Sequence, residues 1–116
     1  MPKIASKAKR LRVYIGEDDH RKRRNLYNSL VEKAKELDMA GATVLRGVMG
    51  YGANSRIHTA TLLDLSSDLP VLIEIIDSEE YIAKLLPFLD DALEEGMVMI
   101  DDAEVIKYGR QFSKEQ

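Results

Sequence analysis

The feature that most constrains the fold is a strand–helix–strand order that occurs twice along the 116 residues. Residues 11–15 alternate apolar and polar side chains with a period of two, which is typical of a strand with one buried face. Residues 71–76 are apolar on both faces apart from Glu74, which favours a central position in a sheet. The predicted elements are strands at 11–15, 42–49, 71–76 and 97–108, with helices at 25–38 and after residue 77. This order predicts an α+β, ferredoxin-like βαββαβ fold, with a four-stranded antiparallel sheet and two helices on one face.

Both predicted helices have an apolar face and a signal for their first turn. Asn25 is expected to cap the first helix, whose predicted inner face consists of Leu26, Leu30, Ala34 and Leu37. Asp77 with Glu80 forms a capping-box pattern for the second helix, and Ser78 is an alternative cap one residue later. The second helix is expected to contain a kink at Pro87 and to be closed by Gly96; its predicted inner face consists of Ile82, Leu85, Leu86, Leu89 and Leu93. The last strand is expected to be interrupted at Asp101 and Asp102.

The predicted sheet has one face without helices. Tyr14, Leu72 and Ile76 are the candidates for this open face, and an apolar open face requires a partner. A second copy of the chain is the simplest partner, so we expect a homo-oligomer. Glu74 lies in the same apolar strand, and we expect it to form a structural ion pair or to lie at the subunit interface.

Composition narrows the function classes. The chain is long enough for one domain, and without cysteine it has no disulfide, thiolate nucleophile or thiolate metal site. Residues 1–24 carry nine Lys or Arg and three Asp or Glu, whereas the remaining residues carry eight Lys or Arg and 17 Asp or Glu. The acidic remainder disfavours nucleic acid as a partner. No motif for an activated serine and no clear acid–base pair is present, so we expect no enzyme and no catalytic residues. We find neither a secretory signal nor an apolar run of about 20 residues, and therefore expect a cytoplasmic protein not inserted in a membrane.

A glycine-rich segment follows the second predicted strand. Gly47, Gly50 and Gly52 permit positive φ and close approach by a ligand, and Arg46, Arg56 and His58 supply cations nearby. This combination suits an anion such as a phosphate. The same glycines are equally compatible with a β-bulge and a turn, so both interpretations stay open at this point.

Four motifs, in this order, resemble those of the PII-like signalling proteins, and in particular a PII-like group filed as a domain of unknown function. They are LRVYIGE (residues 11–17), GATVLRGVMGYG (41–52), SRIHT (55–59) and DLPVLIEIIDS (68–78). The resemblance implies a trimer with nucleotide sites in the clefts between subunits, and a loop at 50–69 that contacts a protein partner, for which a membrane transporter is one candidate. It also implies that Ala42 and Thr43 lie against the base, that Gly50-Tyr51-Gly52 presents backbone to the nucleotide, and that Lys107 and Arg110 correspond loosely to cations that face phosphates.

One departure from the PII pattern bears on the ligand. Residues 95–102 lack the glycine-and-lysine loop that holds phosphates in PII proteins, and the acids there would repel a triphosphate. We therefore expect AMP or ADP rather than ATP. The alternative is a divalent-cation-binding trimer of the metal-tolerance type, which shares the fold and would use His58 with carboxylates. Two isolated histidines without cysteine fall short of a zinc site, so no metal ligands are predicted.

Overall fold

The computed structural model describes residues 7–52, 58–59 and 68–109, with the backbone alone described at 58 and 59. The elements in chain order are β1 (Lys7–Gly16), β2 (His20–Arg21), β3 (Arg24–Asn25), α1 (Leu26–Glu36), β4 (Thr43–Arg46), β5 (Met49–Gly50), β6 (His58–Thr59), β7 (Pro70–Asp77), α2 (Glu79–Ala92) and β8 (Met97–Glu104). The predicted strand–helix–strand order is therefore present twice, with two small two-stranded additions, β2–β3 and β5–β6.

The main sheet has the strand order β4-β7-β1-β8, and every neighbouring pair is antiparallel. Leu11 of β1 lies opposite Ile75 of β7 on one side and Ile100 of β8 on the other. β7 lies between β4 and β1, as its apolar sequence predicted. The ferredoxin-like α+β fold is confirmed.

The core lies between one face of the sheet and both helices. Alternate residues of β1 and β7 are buried, because successive side chains of a strand point to opposite faces. These side chains pack in one cluster with the inner faces of α1 and α2. Each fully buried aliphatic side chain contributes about 1.5–3 kcal/mol to folding. The sheet residues are Leu11, Val13, Ile15, Val71, Ile73 and Ile75, and the helix residues are Leu26, Leu30, Ala34, Ile82, Leu85, Leu89 and Ala92.

Several boundaries differ from the prediction. β1 begins at Lys7, four residues before the strand predicted at 11–15, so residues 7–10 also belong to the sheet. Asn25 occupies the N-cap position of α1, but its side chain donates to the Glu17 carbonyl oxygen at 3.0 Å instead of capping the helix. Ser78 caps α2, with its Oγ accepting from the Tyr81 N–H at 3.2 Å. Leu86 was wrongly placed on the inner face, since its side chain is exposed.

β8 is continuous through Asp101 and Asp102, so the expected interruption is wrong. Asp101 lies opposite Arg10 in the β1–β8 ladder, and Asp102 lies opposite Lys9. The Arg10 guanidinium donates to both Asp101 oxygens, at 3.0 and 2.6 Å, and Lys9 Nζ donates to Asp102 Oδ1 at 2.6 Å. Opposite charges across neighbouring strands stabilise the pairing, and they explain why two acids in sequence do not break the strand here.

The face of the sheet opposite the helices carries the other half of the alternating side chains. Tyr14, Leu72 and Ile76 are on this face, as predicted. Glu74 also lies there and pairs with Arg12, with 3.0 Å between Glu74 Oε2 and Arg12 Nε, which confirms the expected structural ion pair. The open face therefore combines apolar side chains with cross-strand ion pairs.

Within the described part of the chain, neither helix is both long enough and apolar enough to span a membrane.

Candidate functional site

A cleft lies at the end of the sheet where β1 ends, β7 and β8 begin, and β4 leads into β5. Its volume is about 620 Å³, within the range of about 300–1,000 Å³ that is typical of small-molecule sites. The antiparallel topology brings these strand termini to one end of the sheet, although they are distant in sequence. The lining residues are Tyr14, Ile15, Gly16, Asp19, Leu45, Arg46, Gly47, Gly50, Tyr51, Gly52, Asp68, Pro70, Val71, Leu72, Glu95, Gly96 and Met97.

The cleft is lined mainly by apolar groups. Tyr14, Leu45 and Met97 belong to the open face of the sheet, and their exposed fractions are 37%, 51% and 52%, respectively. Tyr51 lies on the turn after β5 and is 69% exposed. Two aromatic rings and two flexible apolar side chains are thus available to contact a planar, partly apolar ligand.

The glycines of the cleft differ in what they do. The N–H of Gly47 donates to the Pro70 carbonyl oxygen at 2.7 Å, and a Cβ on Gly47 would lie 2.8 Å from Pro70 Cγ. A Cβ on Gly50 would lie 3.0 Å from the same atom. Neither residue has positive φ, so backbone conformation does not require glycine at either position. The close packing against the proline ring does, because a side chain would collide with it, and this supports the turn interpretation for both positions. A Cβ on Gly52 would meet nothing within 4 Å, so the backbone there is open to a ligand.

Gly96 has a different role at the opposite wall of the cleft. Its φ is 119°, a conformation that favours glycine, and a Cβ there would lie 2.5 Å from the Tyr14 carbonyl oxygen. The turn that leads into β8 can therefore approach the end of β1 only with glycine at this position.

The charges of the cleft are mostly negative. Arg46 forms an ion pair with Glu17, with 2.9 Å between Nη2 and Oε2, and its side chain is 63% exposed. Asp19 accepts from the Gly16 N–H at 2.9 Å, and Asp68 accepts from the Asp18 N–H at 2.7 Å. These bonds fix two carboxylates along one wall, and Glu95 adds a third acid. Among the described lining residues Arg46 alone carries positive charge, so one protomer offers little compensation for a highly charged anion.

The structure brings together some of the predicted site residues and not others. Those that line the cleft are Arg46, Gly47, Gly50, Tyr51 and Gly52. Those that lie outside its lining are Ala42, which packs against the core, Thr43, which is exposed opposite Glu74, and Lys107. The positions of Arg56 and Arg110 and the side chain of His58 lie outside the described residues.

Sequence reasoning missed the wall formed by β1, β7 and the turn before β8. Tyr14, Asp68, Pro70, Gly96 and Met97 line it, and none was predicted as a site residue. The predicted topology contained a usable signal. In an antiparallel sheet, the end of β1 and the starts of β7 and β8 lie at the same end of the sheet. Gly16 at the end of β1 and Gly96 before β8 mark that end in the sequence.

Within the described residues, no group of three or more His, Asp or Glu side chains is arranged to hold a metal ion. The divalent-cation alternative depends on His58, whose side chain lies outside the described residues.

Comparisons with known proteins agree on the family and the fold. The model of the family DUF190, described as an uncharacterized ACR (COG1993), matches residues 8–105. A UPF0166 protein from Aquifex aeolicus (strain VF5) is 40% identical over 100 residues, which cover 86% of this chain and 94% of the relative. A structure from Thermus thermophilus described as PII-like has a TM-score of 0.62 and 19% identity, covering 86% of this chain and 90% of that one. CPII from Thiomonas intermedia K12, a nitrogen regulatory PII-like protein bound to ADP, AMP and bicarbonate, has a TM-score of 0.58 and 22% identity, covering 87% and 90%. The chain therefore belongs to the DUF190 (UPF0166) family, and its fold is that of the PII-like proteins.

Proposed function

We propose that the protein is a non-enzymatic, PII-like regulator that binds an adenine nucleotide, with AMP or ADP preferred over ATP. The observation that carries this proposal is the cleft of about 620 Å³ bordered by Gly50-Tyr51-Gly52. This is the motif that the resemblance to PII proteins assigns to nucleotide contacts. CPII, which has the same fold, was solved with ADP and AMP.

The lining supports a nucleotide rather than a simple anion. The exposed rings of Tyr14 and Tyr51 and the side chains of Leu45 and Met97 suit a base and a ribose. Arg46, whose side chain is mostly exposed, can turn from Glu17 toward a phosphate. The open backbone at Gly52 adds room for close approach by the same group.

The charge balance supports few phosphates. Asp19, Asp68 and Glu95 face the same cleft as Arg46, and each added phosphate charge would be repelled by them. This agrees with the absence of a glycine-and-lysine loop in residues 95–102. A monophosphate or diphosphate is therefore favoured over a triphosphate.

A complete site on this proposal needs an adjacent copy of the chain. Ala42, Thr43 and Lys107 do not line the cleft of their own protomer, and the open face of the sheet exposes apolar side chains that a second copy would cover. In a trimer, Thr43 and Lys107 of one subunit would face the cleft of another. Nucleotide binding would then favour one conformation of the 50–69 loop and change which protein partner the trimer binds, because the ligand has different affinities for the two states.

The direct test is calorimetric titration with AMP, ADP, ATP and cyclic AMP, together with metal analysis of the same preparation. We expect the tightest binding for AMP or ADP. Binding of none of the four at millimolar concentration would contradict the proposal, and a stoichiometric divalent metal would support the alternative trimer that uses His58.

A matched pair of variants tests the position of the site. Gly52→Val places a side chain in open space at the cleft, so it should preserve the fold and reduce AMP affinity at least about tenfold by occupying ligand volume. Val48→Phe adds bulk at an exposed position between β4 and β5 that does not line the cleft, and it should leave affinity within about twofold. Equal affinities in the two variants would contradict the assignment of this cleft.

A further inference from the structure

Ala40, in the turn between α1 and β4, is held by side chains at both of its peptide groups. Its N–H donates to Asp77 Oδ2 at 2.8 Å, and its carbonyl oxygen accepts from the Tyr108 hydroxyl at 2.7 Å. The two side chains come from different places, since Asp77 is the last residue of β7 and Tyr108 follows β8. One residue of the turn is therefore fixed from two directions.

Asp77 is fully buried, and among the described residues it is the single buried charged side chain. Its Oδ1 accepts from the Ser78 N–H at 2.7 Å, so its two oxygens each accept a bond from a backbone N–H. Burial of a carboxylate is unfavourable unless such bonds compensate for the lost water. If the turn moved away, a buried oxygen of Asp77 would lose the Ala40 N–H as its donor, which would destabilise the folded state.

Tyr108 reaches Ala40 from the other edge of the sheet. β8 is an edge strand, whereas β7 lies two strands away, or about 10 Å, so the chain after β8 has to return toward β7. Burial raises the pKa of the Tyr108 hydroxyl, and the charges of Asp77 and Asp38 raise it further. A tyrosine hydroxyl with the ordinary pKa of about 10 is already protonated at neutral pH, so this hydroxyl is a donor to the Ala40 carbonyl there.

Gly41, the next residue, has open space where a side chain would project. A Cβ there would meet nothing within 4 Å, and Thr43 at the start of β4 is exposed. The two bonds at Ala40 therefore set the direction in which the chain leaves the turn, and the packing of Ala42 against the core and the pairing of Thr43 with Glu74 hold the next two residues.

We propose that Asp77 and Tyr108 are positioning residues that orient the backbone of residues 41–43 for contact with the base of the bound nucleotide. The proposal rests on the proposed function, in which Thr43 of one subunit faces the nucleotide cleft of another, and on the contact of Ala42 and Thr43 with the base that the resemblance to PII proteins implies. It assigns a role to the segment after β8 that requires no contact between Tyr108 and the ligand.

The test uses the full-length protein and the variant Tyr108→Phe, which keeps the ring and removes the hydroxyl. NMR titration with AMP and with ribose 5-phosphate compares a ligand that has the base with one that lacks it. We expect AMP affinity to fall by between about twofold and tenfold, the range for loss of one hydrogen bond, while ribose 5-phosphate affinity is unchanged. The matched control is Tyr81→Phe on α2, which removes another half-buried tyrosine hydroxyl and should change neither affinity.

Amide hydrogen exchange in the ligand-free proteins gives a second readout. Tyr108→Phe should speed exchange at residues 41–43 relative to the wild type and to Tyr81→Phe, and this result supports positioning whether or not AMP binds. An unchanged exchange rate at these residues overturns the proposal, and so does an equal loss of affinity for both ligands. Failure of the wild-type protein to bind AMP contradicts the proposed function alone.

Discussion

The two faces of the main sheet are made by alternate residues of the same strands, yet they differ in what covers them. Leu11, Val13 and Ile73 on the helix face are completely buried. On the opposite face, Tyr14, Leu45 and Met99 are exposed in the protomer, and two ion pairs lie among them. The helix face can specify the fold of a single chain, because the apolar side chains of its two central strands, β1 and β7, have partners within that chain. The open face finds partners for its charges but not for its apolar groups, so we expect it to control assembly.

Ile73 and Leu72 give the sharpest test of this comparison, because they are neighbours on β7 that point to opposite faces. Ile73→Ala removes a fully buried side chain and should reduce the free energy of unfolding by about 2–5 kcal/mol. Leu72→Ala should reduce it by less than about 1 kcal/mol in the isolated protomer, since its side chain is only half-buried there. Urea denaturation at protein concentrations below the dissociation constant of the oligomer measures both.

For oligomer assembly we expect the reverse order, with the larger effect for Leu72→Ala and the smaller for Ile73→Ala. Leu72→Ala should shift sedimentation velocity profiles toward smaller species, whereas Ile73→Ala should retain the wild-type profile under conditions where it is folded. If Leu72→Ala assembled like the wild type, or destabilised the protomer as much as Ile73→Ala, the open face would not be the oligomer interface.

Glu74→Gln is expected to have a smaller effect. The Arg12 and Glu74 side chains are each 29% exposed in the protomer, and the substitution leaves a half-buried guanidinium without its carboxylate. We expect a loss of about 1 kcal/mol in protomer stability and a greater loss in the oligomer, where the pair would be further desolvated. The matched control is Glu36→Gln, which removes an exposed pair with Lys33 on α1 and should cost at most about 0.5 kcal/mol. Equal effects of the two substitutions on the oligomer would contradict burial of the open face.

The same contrast explains how much of the fold could be predicted from the sequence. The period-two pattern of β1 and the apolar run of β7 identified the two central strands, because residues on the helix face must be apolar in any arrangement that buries them. Asp101 and Asp102 were misinterpreted, since the stabilising partners Arg10 and Lys9 are 91 and 93 residues away in the sequence. Local sequence could not show that opposite charges would meet across the ladder.

The candidate site was predictable only where it follows one continuous segment. The run from Arg46 to Gly52 was found because its glycines and cation are close in sequence. That Gly47 and Gly50 pack against Pro70 depends on the β4–β7 pairing, and the wall at Tyr14 and Gly96 depends on the end of the sheet. These features come from tertiary structure, which a single sequence does not specify locally.

Asp101→Asn is expected to have the smallest effect on stability, and the size of that effect should depend on pH. The two-point hydrogen bond from Arg10, together with its charge, lowers the pKa of the Asp101 carboxyl below its usual value of 3.8. A lowered pKa in the folded state means that the ionised carboxylate stabilises folding at pH values above 3.8, and that this contribution is lost as the pH falls through the lowered pKa. Wild-type protein should therefore be more stable than Asp101→Asn at pH 7, and the difference in melting temperature should shrink toward pH 3. Asp102→Asn is the matched control, because Asp102 projects from the other face of β8, is largely exposed and accepts a single bond from Lys9. A difference between wild type and Asp101→Asn that did not depend on pH would mean that the carboxylate contributes through packing rather than through its charge.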